Sequence, residues 1–293
     1  MKSDILENSE FVTNTPDREY KILILSNPNT DEFYGEDTYI ANAFKADGHN
    51  VKMMWIDYDE KLDEEFDIII RRNAWVDTEK ETKDYKTKND KFIERIKSKD
   101  IKTVNLVGLD GKGKSYLCSL FKDGKNVIPT VDKLMDIHKL GAVQKYVLKD
   151  KNSFGSGLGQ KIVDVDELKK EFKEGYIIQP LLKFKSEVQC YLVGEKLMYA
   201  YEYIPSKYPD YPEPQEFALT EKERQLVNDF AKIANLKVGF LRIDFLRLLN
   251  DELILLEIED NSPIMDLEKL NIEIREKVIN EYKNNIYKYL KEQ

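Results

Sequence analysis

The chain has 293 residues, 41% of them hydrophobic, so it can bury a sizeable core and has the length of about two domains. Lys+Arg 46 against Asp+Glu 55 gives a net charge of −9 at pH 7, which disfavours nucleic acid and anionic lipid as partners. No apolar run reaches the roughly 18 residues of a membrane span, and residues 1–19 form a polar leader without the features of a secretory signal. We therefore expect a cytoplasmic protein with no nucleic-acid or membrane partner. The sequence is compatible with a homodimer.

The first part of the chain, residues 20–108, alternates apolar runs with helical stretches. The strand-like runs are KILILS (21–26), VKMMWID (51–57), EFDIIIRR (65–72) and TVNLV (103–107), with helices predicted at 36–49 and 79–98. This order predicts a small parallel α/β domain. Arg71 and Arg72 end the third strand, at the edge where open α/β sheets usually bind ligands, and strand alternation lets one of them face that cleft and hold a carboxylate.

The second part, residues 109–293, has a mixed α+β pattern. Strands are predicted at 145–150, 176–182, 188–204 and 239–259, and helices at 114–122, 220–235 and 272–291. We divide this part into a lid at about 126–183 and a C-terminal subdomain at about 184–293.

A glycine-rich motif lies near the junction of the two parts. GLDGKGKS (108–115) fits G-x-x-x-x-G-K-[ST] between a strand and a helix, which is the context of a phosphate-binding P-loop. A P-loop normally follows the first strand of its sheet, however, whereas three strands come before the strand that leads into this motif, and no later strand ends in an obvious Mg²⁺-binding Asp. A P-loop NTPase is therefore an alternative, and the simpler interpretation is a turn that places Lys114 at the start of a helix.

A second loop of small residues, NSFGSGLG (152–159), follows the strand KYVLKD. Without bulky side chains its backbone N–H groups can approach a polyphosphate, and Lys149 just before it supplies a cation. The residues that we expect at the phosphates are Ser153, Gly155, Ser156 and Gly157. A glycine-rich hairpin loop without a ligand would have the same composition.

The strongest signal is a hairpin of two apolar strands around Asn250 and Asp251. A tight two-residue turn there places Asp244 opposite Glu257 and Arg242 opposite Glu259, all on one face. Opposed carboxylates repel each other unless a cation lies between them, and oxygen ligands at this density suit Mg²⁺ or Mn²⁺. The alternative is a solvated strand face with an Arg–Glu pair.

The order of these features resembles the ATP-grasp family of carboxylate-amine ligases, from about residue 21 to 263. It is most similar to the glutathione-synthetase-like branch that includes the cycloserine-forming ligase. The similar segments are RRNAW (71–75), VN (104–105), KSYL (114–117), IPT (128–130), QPLL (179–182) and LEIE-x-x-SP (256–263).

The resemblance implies an ATP-grasp fold with an N-terminal α/β domain, a central lid and a C-terminal mixed sheet, and it implies site roles. Lys114 and Lys149 would contact phosphates and the N7 side of adenine, and Glu187 the ribose hydroxyls. The hinge backbone of Gln179, Pro180, Leu181 and Leu182 would meet the adenine edge. Asp244, Glu257 and Glu259 would hold Mg²⁺, with ATP as the second cofactor.

The implied reaction is ATP-dependent ligation of a small carboxylate to an amine through an acyl phosphate, on an amino-acid-like or peptide-like substrate. Gln189 and Tyr203 stand where glutathione synthetase has arginines, and Glu259 stands where many relatives have Asn. We therefore expect a small carboxylate with Arg242, and Arg71 or Arg72, as its cationic partners. The alternatives are a P-loop NTPase and a non-catalytic nucleotide-binding module.

Overall fold

A computed structural model describes residues 16, 18–29, 32–33, 35–73, 79–99, 101–109, 113–151, 160–204, 215–261 and 263–292. The secondary structure follows the predicted order closely. The helix predicted at 272–291, for example, is Ile272–Lys291, and the helix predicted at 79–98 is Glu79–Lys97. Among the described residues, no helix combines the length and the apolar character needed to cross a membrane.

The N-terminal sheet is parallel, with strand order β4-β1-β5-β6. Its strands are β1 (Lys21–Leu25), β4 (Asn50–Met54), β5 (Ile68–Arg71) and β6 (Lys102–Val104), its helices are α1 (Gly35–Ala46) and α2 (Glu79–Lys97), and Pro28–Asn29 and Glu32–Phe33 form a short ribbon, β2 and β3. The two central strands, β1 and β5, are apolar on both faces because each face is covered, one of them by α2 through Phe92 and Ile96.

The small central sheet is antiparallel, with order β8-β7-β9. It follows α3 (Ser115–Lys122) and a 3₁₀ helix (Leu134–Leu140), and consists of β7 (Tyr146–Asp150), β8 (Lys161–Val163) and β9 (Tyr176–Pro180), with α4 (Val165–Glu171) between the last two. A two-way backbone bridge between Val131 and Ile178 joins the segment after the IPT motif to this sheet.

The C-terminal sheet has five antiparallel strands in the order β12-β11-β10-β13-β14. They are β10 (Phe184–Val193), β11 (Lys196–Tyr203), β12 (Gln215–Glu216), β13 (Phe240–Leu248) and β14 (Leu253–Glu259), with α5 (Glu221–Ala234) before β13 and α6 (Ile272–Lys291) after β14. One face packs on α3 and α5 through residues such as Val188, Ile243 and Phe230. The other face meets α6 and the N-terminal sheet through tyrosines, and also carries the charged residues described below.

Candidate active site

The hairpin of β13 and β14 carries the charged residues that the sequence predicts. In the structure Asp244 pairs with Glu257, and Arg242 pairs with Glu259. One carboxylate oxygen each from Asp244, Glu257 and Glu259 lies within 4.8 Å of the other two. Alternation along both strands therefore brings three carboxylates and a guanidinium to one face, as predicted.

The turn of this hairpin differs from the prediction. Leu248 N–H donates to Glu252 O (2.8 Å), so three residues, 249–251, form the loop instead of two, and Asp251 adopts a left-handed conformation with φ 69°. Near the turn the register is consequently one residue off, with Phe245 opposite Leu255. A β-bulge leaves Leu256 without a partner position and restores the predicted register at Asp244.

Arg242 binds two of the three carboxylates. Its Nε lies 2.9 Å from Asp244 Oδ1, its Nη2 lies 2.6 Å from Glu259 Oε1, and its Nη1 donates to Ile264 O at 3.2 Å. Burial raises the pKa of Asp244 to about 7, although the charge of Arg242 acts in the opposite direction. Burial works against the charge of Arg242 too, but Asp244 and Glu259 outweigh it, so its pKa is raised well above the ordinary value and it stays protonated.

The third carboxylate, that of Glu257, interacts with the two lysines predicted from the sequence. Lys114, immediately before α3, places its Nζ 2.5 Å from Glu257 Oε2. Burial alone would raise the pKa of Glu257, but Lys114 and then Lys149 outweigh it and lower that pKa to about 2. The pKa of Lys149 is itself lowered, by burial and by the like charge of Lys114, against the pull of Glu257 and Glu187. Two lysines from different elements thus share one acidic partner.

The first glycine of the motif at 108–115, Gly108, lies against the side chain of Asp260. A Cβ at Gly108 would lie 1.9 Å from Oδ1 of Asp260, whose other oxygen accepts the Leu109 N–H at 2.7 Å. Gly108 therefore admits the carboxylate that follows β14. Residues 110–112 of the motif, and the loop residues Ser153, Gly155, Ser156 and Gly157, lie outside the described residues.

The predicted hinge lies at the end of β9. Gln179 and Pro180 are buried, and the side-chain amide of Gln179 donates to Thr130 Oγ1 of the IPT motif at 3.0 Å. The Leu181 N–H donates to Lys145 O at 2.9 Å, and Pro180 has no N–H. Of the two leucines in the hinge, Leu182 is therefore the one whose amide could serve a ligand.

Glu187 lies on β10, on the same face as the carboxylates. It pairs with Tyr203 of β11 on one side and Leu246 of β13 on the other, and it accepts a hydrogen bond from Gln189 Nε2 at 2.9 Å. Gln189 is directly opposite Asp244. Gln189 therefore lies between Glu187, the predicted ribose acid, and Asp244, one of the predicted metal ligands.

Sequence reasoning missed Asp266 and the role of Tyr191. Asp266 Oδ2 accepts hydrogen bonds from the hydroxyls of Tyr191 (2.6 Å) and Tyr203 (2.9 Å), and its Oδ1 pairs with Lys269 at 2.9 Å. Tyr191 pairs with Arg242 in the sheet, so Asp266 lies beside the cluster. Alternation in EVQCY (187–191) puts Tyr191 on the face of Glu187 and could have revealed it, whereas no sequence pattern shows that Asp266 folds back.

Arg72, which we expected as a possible partner of a substrate carboxylate, is paired with groups of the chain itself. Its side chain is fully buried, with Nη2 2.6 Å from Glu36, Nε 3.1 Å from Asp37 and Nη1 donating to Pro263 O at 3.0 Å. Both acids are in the first turn of α1, which starts at the same edge of the sheet at which β5 ends. All three nitrogens of the guanidinium therefore have partners within the fold. Arg71 is buried as well and donates to Leu106 O at 3.3 Å.

Comparison with solved structures finds this architecture in ligases of low sequence identity. D-cycloserine synthetase DcsG is 17% identical, with a TM-score of 0.66 over 92% of this chain and 99% of that one. The ATP-grasp ligase PsnB, complexed with a minimal precursor, is 12% identical, with a TM-score of 0.64 over 91% and 100%. The D-alanine–D-alanine ligase from Bacillus anthracis is 14% identical, with a TM-score of 0.61 over 93% and 97%.

No protein-family model matches the chain, and no curated protein matches its sequence. The structural similarity nevertheless extends over nearly the whole chain and includes both the parallel and the antiparallel sheets. The chain therefore has the ATP-grasp fold, as the order of its motifs predicted.

Proposed function

We propose that this protein is an ATP-dependent ligase that activates a carboxylate as an acyl phosphate and joins it to an amine, releasing ADP. The observation that carries the proposal is the contact of Lys114 with Glu257, in a hairpin that also brings Asp244 and Glu259 together. The charge of Lys149 acts on the same carboxylate and helps to lower its pKa. The fold of known ligases supports the same reaction class. Solved structures of PsnB with Mg and ADP, and of the Bacillus ligase with ATP, support ATP and Mg²⁺ as cofactors.

The carboxylate cluster suits a divalent cation. Its donors are three carboxylates with one oxygen each within 4.8 Å of the other two, and hard cations such as Mg²⁺ and Mn²⁺ prefer oxygen ligands. When bound, the ion supplies positive charge that lowers the repulsion between a substrate carboxylate and the triphosphate. Asp244, Glu257 and Glu259 are the residues that would hold it.

The chain's own groups then bind and orient the reactants. Lys114 and Lys149 would neutralise phosphate charge, and Arg242 would stabilise the negative charge that develops at the reacting carboxylate. Leu182 N–H and the hinge carbonyls would recognise the adenine edge, and Glu187 the ribose hydroxyls. None of these groups has to act as a covalent nucleophile, because positioning and electrostatics suffice for phosphoryl transfer.

The substrate side of the cleft favours a small amino-acid-like or peptide-like molecule. Gln189 and Tyr203 take the place of the arginines expected in glutathione synthetase. The Tyr203 hydroxyl donates to Asp266 directly, and the Tyr191 hydroxyl lies within hydrogen-bond distance of both Asp266 and the side-chain oxygen of Gln189. Such a surface offers acceptors and hydroxyls, which suit an amino group better than a second carboxylate.

The test is a product screen. The protein is incubated with ATP, Mg²⁺, hydroxylamine and a panel of amino acids, small peptides and simple carboxylic acids, and ADP and hydroxamates are measured by mass spectrometry. We expect ADP and one hydroxamate in equal amounts, because hydroxylamine intercepts an acyl phosphate. ATP binding with no ADP release from any carboxylate would instead indicate a non-catalytic nucleotide-binding module.

Two lysine variants separate the proposal from a P-loop NTPase. Lys114→Met and Lys149→Met should each weaken MgATP binding by about tenfold or more, because each removes a charge that faces phosphate. Lys122→Met, at an exposed position at the end of α3, is the matched control and should bind normally. A P-loop would need Lys114 and not Lys149.

A further inference from the structure

The short strap Pro263–Asp266 follows β14 and lies between the N-terminal sheet and the charged cluster. Side chains from both parts of the molecule hold its polar groups. From the N-terminal part, Arg72 donates to Pro263 O (3.0 Å) and Glu36 accepts the Met265 N–H (3.0 Å). From the C-terminal sheet, Arg242 donates to Ile264 O (3.2 Å) and the Tyr199 hydroxyl donates to Met265 O. The Asp266 carboxylate accepts hydrogen bonds from Tyr191 and Tyr203. The strap is thus fixed on one side by the N-terminal sheet and on the other by the cluster.

Arg72 is suited to fix the strap because its three donor directions are all determined. Nε and Nη2 bind Asp37 and Glu36, and this pairing aims Nη1 at Pro263 O. Asn73 donates to both acids at 2.9 and 3.1 Å, which holds them in turn. Burial penalises the charge of Arg72, but the two acids outweigh that penalty, so its pKa is raised and the guanidinium stays protonated.

The same guanidinium contacts the strand that bears Arg242. It lies over the ring of Phe240 at 4.8 Å, and Phe240 is two residues before Arg242 on β13. Arg72 therefore touches both supports of Arg242: the strand that carries it, and the strap whose carbonyl accepts its Nη1. A planar fork can make these separate contacts at once, and a lysine ammonium cannot.

We infer that Arg72 and Glu36 are positioning residues, which hold the Pro263–Asp266 strap so that the Arg242 guanidinium stays aligned with Asp244 and Glu259. This role rests on the proposed function, in which Arg242 stabilises charge at the reacting carboxylate. Small displacements of such a group are costly, since catalysis by positioning depends on geometry at the scale of an ångström. Neither Arg72 nor Glu36 touches substrate in this proposal.

The first test is kinetic and uses Arg72→Lys, which keeps the buried charge. With the carboxylate that gives a hydroxamate in the product screen, we expect kcat to fall about tenfold or more while the Michaelis constant for MgATP changes less than about threefold. The matched control is Asp47→Asn, which breaks an ion pair of 2.8 Å between the end of α1 and Lys283 of α6 without touching the strap. It should leave kcat within about twofold.

The second test does not need turnover. In uniformly ¹⁵N-labelled protein, the Nε–H resonance of Arg242 reports its bond to Asp244. Arg72→Lys should shift this resonance and speed its hydrogen exchange, and should also speed exchange of the Met265 amide, while Asp47→Asn should do neither. If Arg72→Lys does not fold, Glu36→Gln provides the same two readouts.

The outcomes separate the inference from the proposed function. If no carboxylate reacts, the proposed function fails, and an unchanged Arg242 resonance in the folded variant would overturn the positioning role independently. If the wild type is active, the inference is refuted when Arg72→Lys retains full kcat, or when Asp47→Asn loses as much. A change in Arg242 with a selective loss of kcat supports it.

Discussion

Replacing Gly108 by alanine tests the contact that joins the segment after β6 to the end of β14. A Cβ at this position would lie 1.9 Å from Oδ1 and 2.4 Å from Oδ2 of Asp260, far inside van der Waals contact. Asp260 is 1% exposed, and its Oδ2 accepts the Leu109 N–H at 2.7 Å. Gly108→Ala must therefore move a buried carboxylate away from its donor.

The expected cost combines two effects. Forcing an extra methyl group into a packed site costs about 1–3 kcal/mol. Losing a hydrogen bond to a charged acceptor costs about 1.5–3 kcal/mol. We therefore expect Gly108→Ala to lower the free energy of unfolding by about 2.5–6 kcal/mol, a large share of the roughly 5–15 kcal/mol of a typical domain.

The assay is urea unfolding followed by circular dichroism, in a double-mutant cycle with Asp260→Ala. Asp260→Ala empties the space that the new methyl group would occupy, so Gly108→Ala should cost less than about 1 kcal/mol in that background. Gly124→Ala is the control for backbone effects. No atom lies within 4 Å of its would-be Cβ, but φ is +68°, so only strain of about 1–2 kcal/mol is expected.

Two results would refute this reasoning. One is a Gly108→Ala protein as stable as the wild type, and the other is a cycle in which the two substitutions add. A stable Gly108→Ala variant that has lost MgATP affinity would show instead that this glycine serves a phosphate, which would favour the P-loop interpretation.

Three further predictions concern the lid, a histidine and a helix cap. If residues 126–183 close over the triphosphate as a lid, amide exchange there should slow when a non-hydrolysable ATP analogue binds, and identical exchange would count against the lid. His49 accepts the Tyr20 N–H at Nδ1, and burial lowers its pKa. Its contribution to stability should be complete above about pH 6.5 and decline below it, as the unfolded chain binds the proton first; His49→Gln should remove this component from unfolding curves measured against pH. Thr220→Ala deletes the capping box of α5 formed with Glu223 and should cost about 1 kcal/mol in urea unfolding, with no change in MgATP affinity.

The elements of this fold could be predicted because their hydrophobic patterns are local. The period of an amphipathic helix predicts Ile272–Lys291, and apolar runs bounded by turns predict β1, β5 and β13. The pairing of Asp244 with Glu257 is as predicted, but the two-residue turn from which it was predicted is not. The turn holds one residue more than expected, and the bulge at Leu256 compensates on one strand, so the two deviations cancel at the cluster.

The partners of Arg72 could not be read from the pattern of its own strand. The sequence places this arginine correctly at the carboxyl edge of the parallel sheet, but ligand binding is only one use of that edge. α1 begins at the same edge after β1, and the acids of its first turn, Glu36 and Asp37, form ion pairs with Arg72. A helix N-terminus favours acidic residues there, so the competing partners were visible in the sequence.

The charges of the cluster explain how three carboxylates can face one another in the folded chain. Arg242 pairs with both Asp244 and Glu259, and Lys114 pairs with Glu257. In the proposed reaction Lys114 would bind a phosphate in place of Glu257, and Glu257 would be one of the residues that hold the metal ion. Because MgATP brings both an anion and a cation, neither buried partner is left without a counter-charge during the exchange. Lys114 would bind phosphate in a P-loop and in an ATP-grasp site alike. In this structure its side chain pairs with Glu257 of the carboxylate hairpin.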